Sequence, residues 1–102
     1  MATLGDEFHH AMVTIYEQAR DYGYYATYFK QMLDQHGGVE AAKRLLAKSE
    51  VQQGLMRLWE LGHLGNSVEA HVIQPKYMPL FTEAEIEEAR KRLEELGYFW
   101  GP

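Results

Sequence analysis

Apolar side chains in this sequence recur at steps of three and four residues from near its start to near its end, and nowhere alternate every second residue. Leu4, Phe8, Met12, Ile15, Ala19 and Tyr22 set the pattern. Such spacing lines one face of an α-helix, because successive helical residues are rotated by about 100°. A half-buried β-strand would need alternation of two, so the pattern predicts an all-α chain.

Punctuation divides the pattern into about six helices, approximately 4–22, 24–35, 39–47, 50–61, 67–74 and 83–96. Thr3 or Asp6 can cap the first, and Gly23 can end it. The second places Tyr25, Phe29, Met32 and Leu33 together before Gly37-Gly38 breaks it. The third carries Val39, Ala42, Leu45 and Leu46. Ser49 to Gln52 reads as a capping box opening the fourth, with Val51, Leu55, Leu58 and Trp59 facing inward. Ser67 or Asn66 opens the fifth, and Pro75, which lacks an amide proton, ends it. The loop from Lys76 to Leu80 is expected to be held by Tyr77, Met78 and Leu80.

The sixth helix has the clearest start. In Thr82-Glu83-Ala84-Glu85 the threonine can accept from the third helical amide while Glu85 reaches back to its own amide. Phe81 and Ile86 form the accompanying hydrophobic staple. Ile86, Ala89, Leu93 and Leu96 make the buried stripe, with Arg90, Lys91 and Arg92 alongside. The expectation is a compact single-domain helical bundle spanning 1–102, a length that supports one core.

With no cysteine among 102 residues, disulfides and thiolate chemistry are excluded. There is no run of about 18 apolar residues of the kind a membrane span requires, and no basic-then-apolar leader, so a cytoplasmic protein without membrane attachment is expected. The net charge of −5 is unevenly distributed. Residues 30–57 carry five bases against three acids, whereas 58–102 carry eight acids against four bases. Only the middle segment could offer phosphates a basic face.

No constellation for catalysis stands out. His9 and His10 are helix neighbours pointing about 100° apart, and His63 and His71 lack the one-turn spacing of a zinc pair. No metal, cofactor or catalytic residue is therefore assigned. Ser49 and Ser67 read as caps, and Glu83, Glu85, Glu87 and Glu88 as a solvated charged face. Gly37-Gly38 has neither the preceding strand nor the Gly-Lys-Ser/Thr of a phosphate loop.

Two surfaces remain. Tyr24 and Tyr28, one helical turn apart, would form an exposed aromatic face, and Tyr98, Phe99 and Trp100 add to the aromatic surplus. Tyrosine joins an apolar ring to a polar tip and suits protein interfaces. The alternative surface is Lys43, Arg44, Lys48 and Arg57, in a segment with helix-turn-helix flavour, as a nucleic-acid-associated accessory domain. Its fourth helix would be the reader, yet it carries one base, Arg57, beside Glu50 and Glu60.

Longer stretches carry a resemblance: Tyr-Phe-x-Gln-Met at 28–32, GGVEAAKRLL at 37–46, GLMRLWELGHL at 54–64, SVEAHVIQPKYMPLFTEAEIEEARKRL at 67–93, and Gly97-Tyr98. Together they resemble a widespread family of small bacterial helical proteins and domains of uncharacterised function. The sequence departs from that family's pattern at His71, where an apolar residue is expected, and at Gly65-Asn66, where the pattern has Asp-Leu. The resemblance implies a recurring helical module, standing alone or attached to larger proteins, and brings no active site. The expectation is a non-catalytic module that binds a partner protein or itself as a homodimer.

Overall fold

The structure, a computed structural model, describes residues 3–48 and 53–97, with only the backbone of Gln53 and Gly54. Among these residues are six α-helices: α1 (Leu4–Asp21), α2 (Thr27–His36), α3 (Gly38–Ala47), α4 (Gln53–Glu60), α5 (Val68–Val72) and α6 (Glu83–Glu95). Two short 3₁₀ turns, Leu64–Asn66 and Met78–Leu80, lie in the connections. The all-α expectation is met. The radius of gyration of 12.6 Å is close to the roughly 13 Å of a single folded unit of this length.

Local chemistry explains where three of the six helices begin. Thr3 caps α1 by accepting from the Asp6 amide at 3.1 Å, while the Asp6 carboxylate accepts from the Thr3 amide at 3.1 Å. Both residues named for that end thus act together. The Thr82–Glu85 box is present with the same reciprocity, at 2.8 and 3.2 Å. Ser67 is the cap of α5, accepting from the Ala70 amide at 3.1 Å and donating to the Leu64 carbonyl at 2.7 Å. The box drawn at Ser49–Gln52 lies outside the described residues.

The core forms where the stripes meet. Phe8, Met12, Ile15 and Ala19 of α1 are buried with Phe29, Met32 and Leu33 of α2 and with Ala41, Ala42 and Leu46 of α3. Val72, Ile73, Ala89 and Leu93 join the same cluster. Phe8 meets Tyr77 and Phe81 edge-on, with ring centroids 5.1 and 5.2 Å apart. Each such buried ring contributes roughly 1.5–3 kcal/mol by leaving water, so this trio fixes the loop between α5 and α6. Of the three residues expected to hold it, Tyr77 is buried, whereas Met78 and Leu80 are half-buried.

α3 runs through the centre of the bundle and packs on α1, α2 and α6. Its entry requires two glycines for different reasons. Gly37 has φ 81°, a conformation costly for a side chain bearing Cβ. Gly38 lies so close to α1 that a Cβ placed there would sit 2.6 Å from the His9 Cα.

Three placements differ from expectation. α2 starts at Thr27 rather than 24, because Gly23, at φ 89°, and Tyr24, whose amide donates to the Ala19 carbonyl at 2.8 Å, still close the end of α1; residues 24–26 therefore leave the helical wheel on which Tyr25 was paired with Phe29. Tyr25 is 66% exposed instead. Trp59, expected inward, is 47% exposed, because the buried side of α4 is defined by Leu55 and Leu58. α5 ends at Val72, two residues before the expected stop, and Ile73 buries itself from the following turn.

Candidate functional site: a tyrosine-rimmed cavity over a buried carboxylate

A cavity of about 260 Å³ lies between α1, the 24–29 segment, α4 and α5. Ile15, Ala19, Phe29, Leu55, Leu58 and Val68 supply apolar walls, and Tyr16, Tyr24, Tyr25 and Tyr28 contribute their rings. Thr27, Asn66 and Glu69 are its other polar residues. Its size is near the lower end of ligand pockets, about 300–1,000 Å³. That suits one side chain or a small molecule better than a dinucleotide.

Glu69 is the unusual member of the wall. It sits two positions into α5 from the Ser67 cap and is 3% exposed. Burial pushes its carboxyl above the ordinary value, against its own backbone amide and Arg92, which pull the other way. The Tyr24 phenol is also pushed up, by burial first and by the Glu69 charge second. Both groups thus hold their protons more tightly than they would in water.

Arg92 holds Glu69 from behind. Its side chain is 1% exposed and its Nη1 donates to Glu69 Oε2 at 3.3 Å. Nε donates to Glu88 Oε2 at 2.7 Å. The remaining bonds go to the carbonyls of Leu45 at 3.4 Å, Leu46 at 3.2 Å and Lys48 at 2.9 Å. A guanidinium has five N–H donors, and these five contacts commit all of them. Arg92 therefore finishes the C-terminus of α3 while sharing one positive charge between two carboxylates.

Sequence reasoning missed this pair. Arg92 had been grouped with Arg90 and Lys91 as a charge along α6, and Glu69 had no role. The signal was present: Ala89, Arg92, Leu93 and Leu96 are spaced by three, one and three, so Arg92 falls on the buried stripe. The neighbouring acids are also less uniform than a solvated run. Glu85 receives a bond from Lys43 at 2.8 Å, and Glu88 binds Arg92, while Glu83 and Glu87 are exposed. For Glu85, partial burial opposes ionisation, but bonds from Lys43 and Thr82 outweigh it and hold the carboxyl below its ordinary value.

The predicted aromatic surface is only partly assembled as drawn. Tyr28 is 46% exposed, but Tyr24 is half-buried, so the exposed pair at this face is Tyr25 and Tyr28. The correction follows from the late start of α2, which turns Tyr24 toward Glu69 instead of outward. Tyr98, Phe99 and Trp100 lie outside the described residues.

Each of the four bases of the nucleic-acid alternative has a partner on the protein. Lys43 pairs with Glu85 at 2.8 Å, Arg44 with Glu40 at 3.2 Å and Arg57 with Glu60 at 3.6 Å. Lys48 donates to the Tyr28 hydroxyl at 2.6 Å and lies over that ring, 5.2 Å from its centroid. Three of these cations therefore have acids beside them that a phosphate would have to displace.

The histidines have structural partners. The Gly38 amide donates to His9 Nδ1 at 2.8 Å, which caps the start of α3 from α1. His10 points elsewhere, its ring centroid 6.2 Å from that of His9. His71 Nδ1 meets the Ser67 carbonyl at 2.8 Å, so one ring nitrogen of this half-buried side chain is spent on the cap of its own helix. His63 stacks on Tyr22 with centroids 3.9 Å apart. Among the described residues no group of three or more His, Cys, Asp or Glu is arranged to hold a metal ion, and no helix is long and apolar enough to cross a membrane.

Comparison of the chain with models of protein families, with curated proteins and with solved structures found no match in any of the three.

Proposed function

We propose that this chain is a non-catalytic helical module that docks a partner protein through the tyrosine-rimmed cavity. The observation that supports this reading is the placement of Tyr25, 66% exposed, and Tyr28, 46% exposed, on the wall of a cavity roomy enough for one side chain. Interfaces concentrate their energy in aromatic residues around a pocket that accepts an anchor from the other side. The exposed rings are ready to cover such an anchor and exclude water from it. Resemblance to a family of helical modules, some attached to larger proteins, favours the same role.

A photo-crosslinking amino acid placed at Tyr25 or Tyr28, and at the exposed Gln31 and Glu83 as controls, tests the proposal in a cell lysate. The expected result is one crosslinked product from the Tyr25 and Tyr28 positions that is missing from the controls. A product of twice the chain mass would identify the partner as a second copy. Equal labelling from all four positions, or none, overturns the reading.

The nucleic-acid alternative has less support, because Lys43, Arg44 and Arg57 are each already paired with a carboxylate.

A further inference from the structure

The cavity's electrostatics define the tip of the anchor it would accept. Glu69 is one of two carboxylates that share a single guanidinium, so Glu69, Glu88 and Arg92 together carry one uncompensated negative charge. The carbonyls of Leu45, Leu46 and Lys48 bring the negative end of the α3 dipole to the same place. Arg92 has no donor left to give Glu69 beyond the one bond of 3.3 Å. What this interior lacks is positive charge.

We propose that the cavity receives the side chain of a lysine from the partner protein, its alkyl stem against the tyrosine rings and its ammonium at the Glu69 carboxylate. This deepens the docking reading and rests on it. Three observations converge on lysine. The walls combine apolar groups with aromatic faces, which attract cations as well as alkyl chains. The carboxylate already accepts from Arg92 and from its own backbone amide, so a compact ammonium fits what remains better than a planar fork that seeks both oxygens. The chain's own Lys48 already places its ammonium on Tyr28, at the same group of rings. Burial raises the proton affinity of both Glu69 and Tyr24, and the nearby negative charge adds to it, from Glu88 at Glu69 and from Glu69 at Tyr24.

The test titrates three short capped peptides into the intact protein while following the resonances of Tyr24 and Tyr28. The peptides are identical except for one central residue: lysine, N-acetyl-lysine, or norleucine, which keeps the stem and drops the amine. Saturable shifts with the lysine peptide, and binding about tenfold weaker for the other two, are expected; that ratio corresponds to about 1.4 kcal/mol for the charge. Glu69→Gln should abolish the preference, and the three-peptide comparison stands even where that variant fails to fold. Absence of shifts with the lysine peptide, or equal binding by all three, overturns the lysine assignment. In either case a product specific to Tyr25 and Tyr28 in the crosslinking experiment would leave the docking reading standing without it.

Discussion

α3 and α6 are neighbouring helices that obtain their end caps in opposite ways. α6 starts with its own residues: Thr82 and Glu85, three apart, satisfy each other's amides. α3 has no side-chain cap of its own at Gly37. Its first amide is taken by His9, 29 residues away, and its last carbonyls by Arg92, 44 to 47 residues away. A locally capped helix is specified before it docks. One capped by other helices is specified only by docking, so its glycine entry and short side chains make sense in the folded bundle alone.

The sharpest way to break this contrast is to remove Arg92. Arg92→Ala would strand Glu69 in the interior and release three carbonyls, and loss of one partner from a buried pair costs about 3–5 kcal/mol. That is a large fraction of the roughly 5–15 kcal/mol that stabilises a small domain. Urea denaturation should show the loss, and Arg92→Lys should recover little of it, since three donors cannot replace a five-donor fan. Near-native stability of Arg92→Ala would mean that α3 does not depend on α6 for its C-terminus.

At the other end of α3, Gly38→Ala forces a methyl to within 2.6 Å of the His9 backbone, and overpacking of this kind costs about 1–3 kcal/mol. The comparison is Gly62→Ala, where φ is 78° but nothing lies within 4 Å; conformational strain alone should cost about 1–2 kcal/mol. Only the Gly38 variant should also disturb the His9 ring resonances. Disturbance of His9 by both variants would show that the effect is not one of close approach.

Thr82→Ala removes a local cap and should cost about 1 kcal/mol. Its hydrogen-exchange signature should be confined to the first turn of α6. Spread of the effect into α3 would erase the distinction between the two helices.

The smallest effect is a pair of opposite slopes with pH. The Glu69 carboxyl is raised from its ordinary 4.5, so its titration contributes stability below that value and loses it as pH rises through the higher folded value. Glu85 is lowered from 4.5, so its contribution is present above 4.5 and is lost as pH falls through the lower folded value. Urea midpoints measured on both sides of pH 4.5 should show the penalty of Glu85→Gln growing with pH. The penalty of Glu69→Gln should shrink over its own window. Parallel slopes would contradict the assignment of the two environments.

What the sequence revealed follows the same division. Thr3–Asp6, Thr82–Glu85 and Ser67 could be read because cap and capped amide lie within one turn. Phe81, Tyr77 and the α1 stripe could be read because apolar spacing reports burial without naming a partner. The start of α2 was misread because Gly23 and Tyr24 are spent closing α1, a backbone arrangement the apolar spacing does not report, and with it went the orientation of Tyr24 and Tyr25. Glu69 and Arg92 meet across 23 residues, and each looks like an ordinary helix charge until the other is in place. Only the position of Arg92 on the apolar stripe of α6 hinted that it was buried. The cavity itself, assembled from α1, the 24–29 segment, α4 and α5, has no local signature.

The long reach of His9 and Arg92 also sets an order of assembly. α1 and α6 can gain helical structure early, since their first turns are complete within themselves, whereas α3 must wait for both to arrive. Its amides should therefore exchange with solvent only in the global opening of the bundle. Truncating the chain before Arg92 should unravel the middle of the molecule rather than its end.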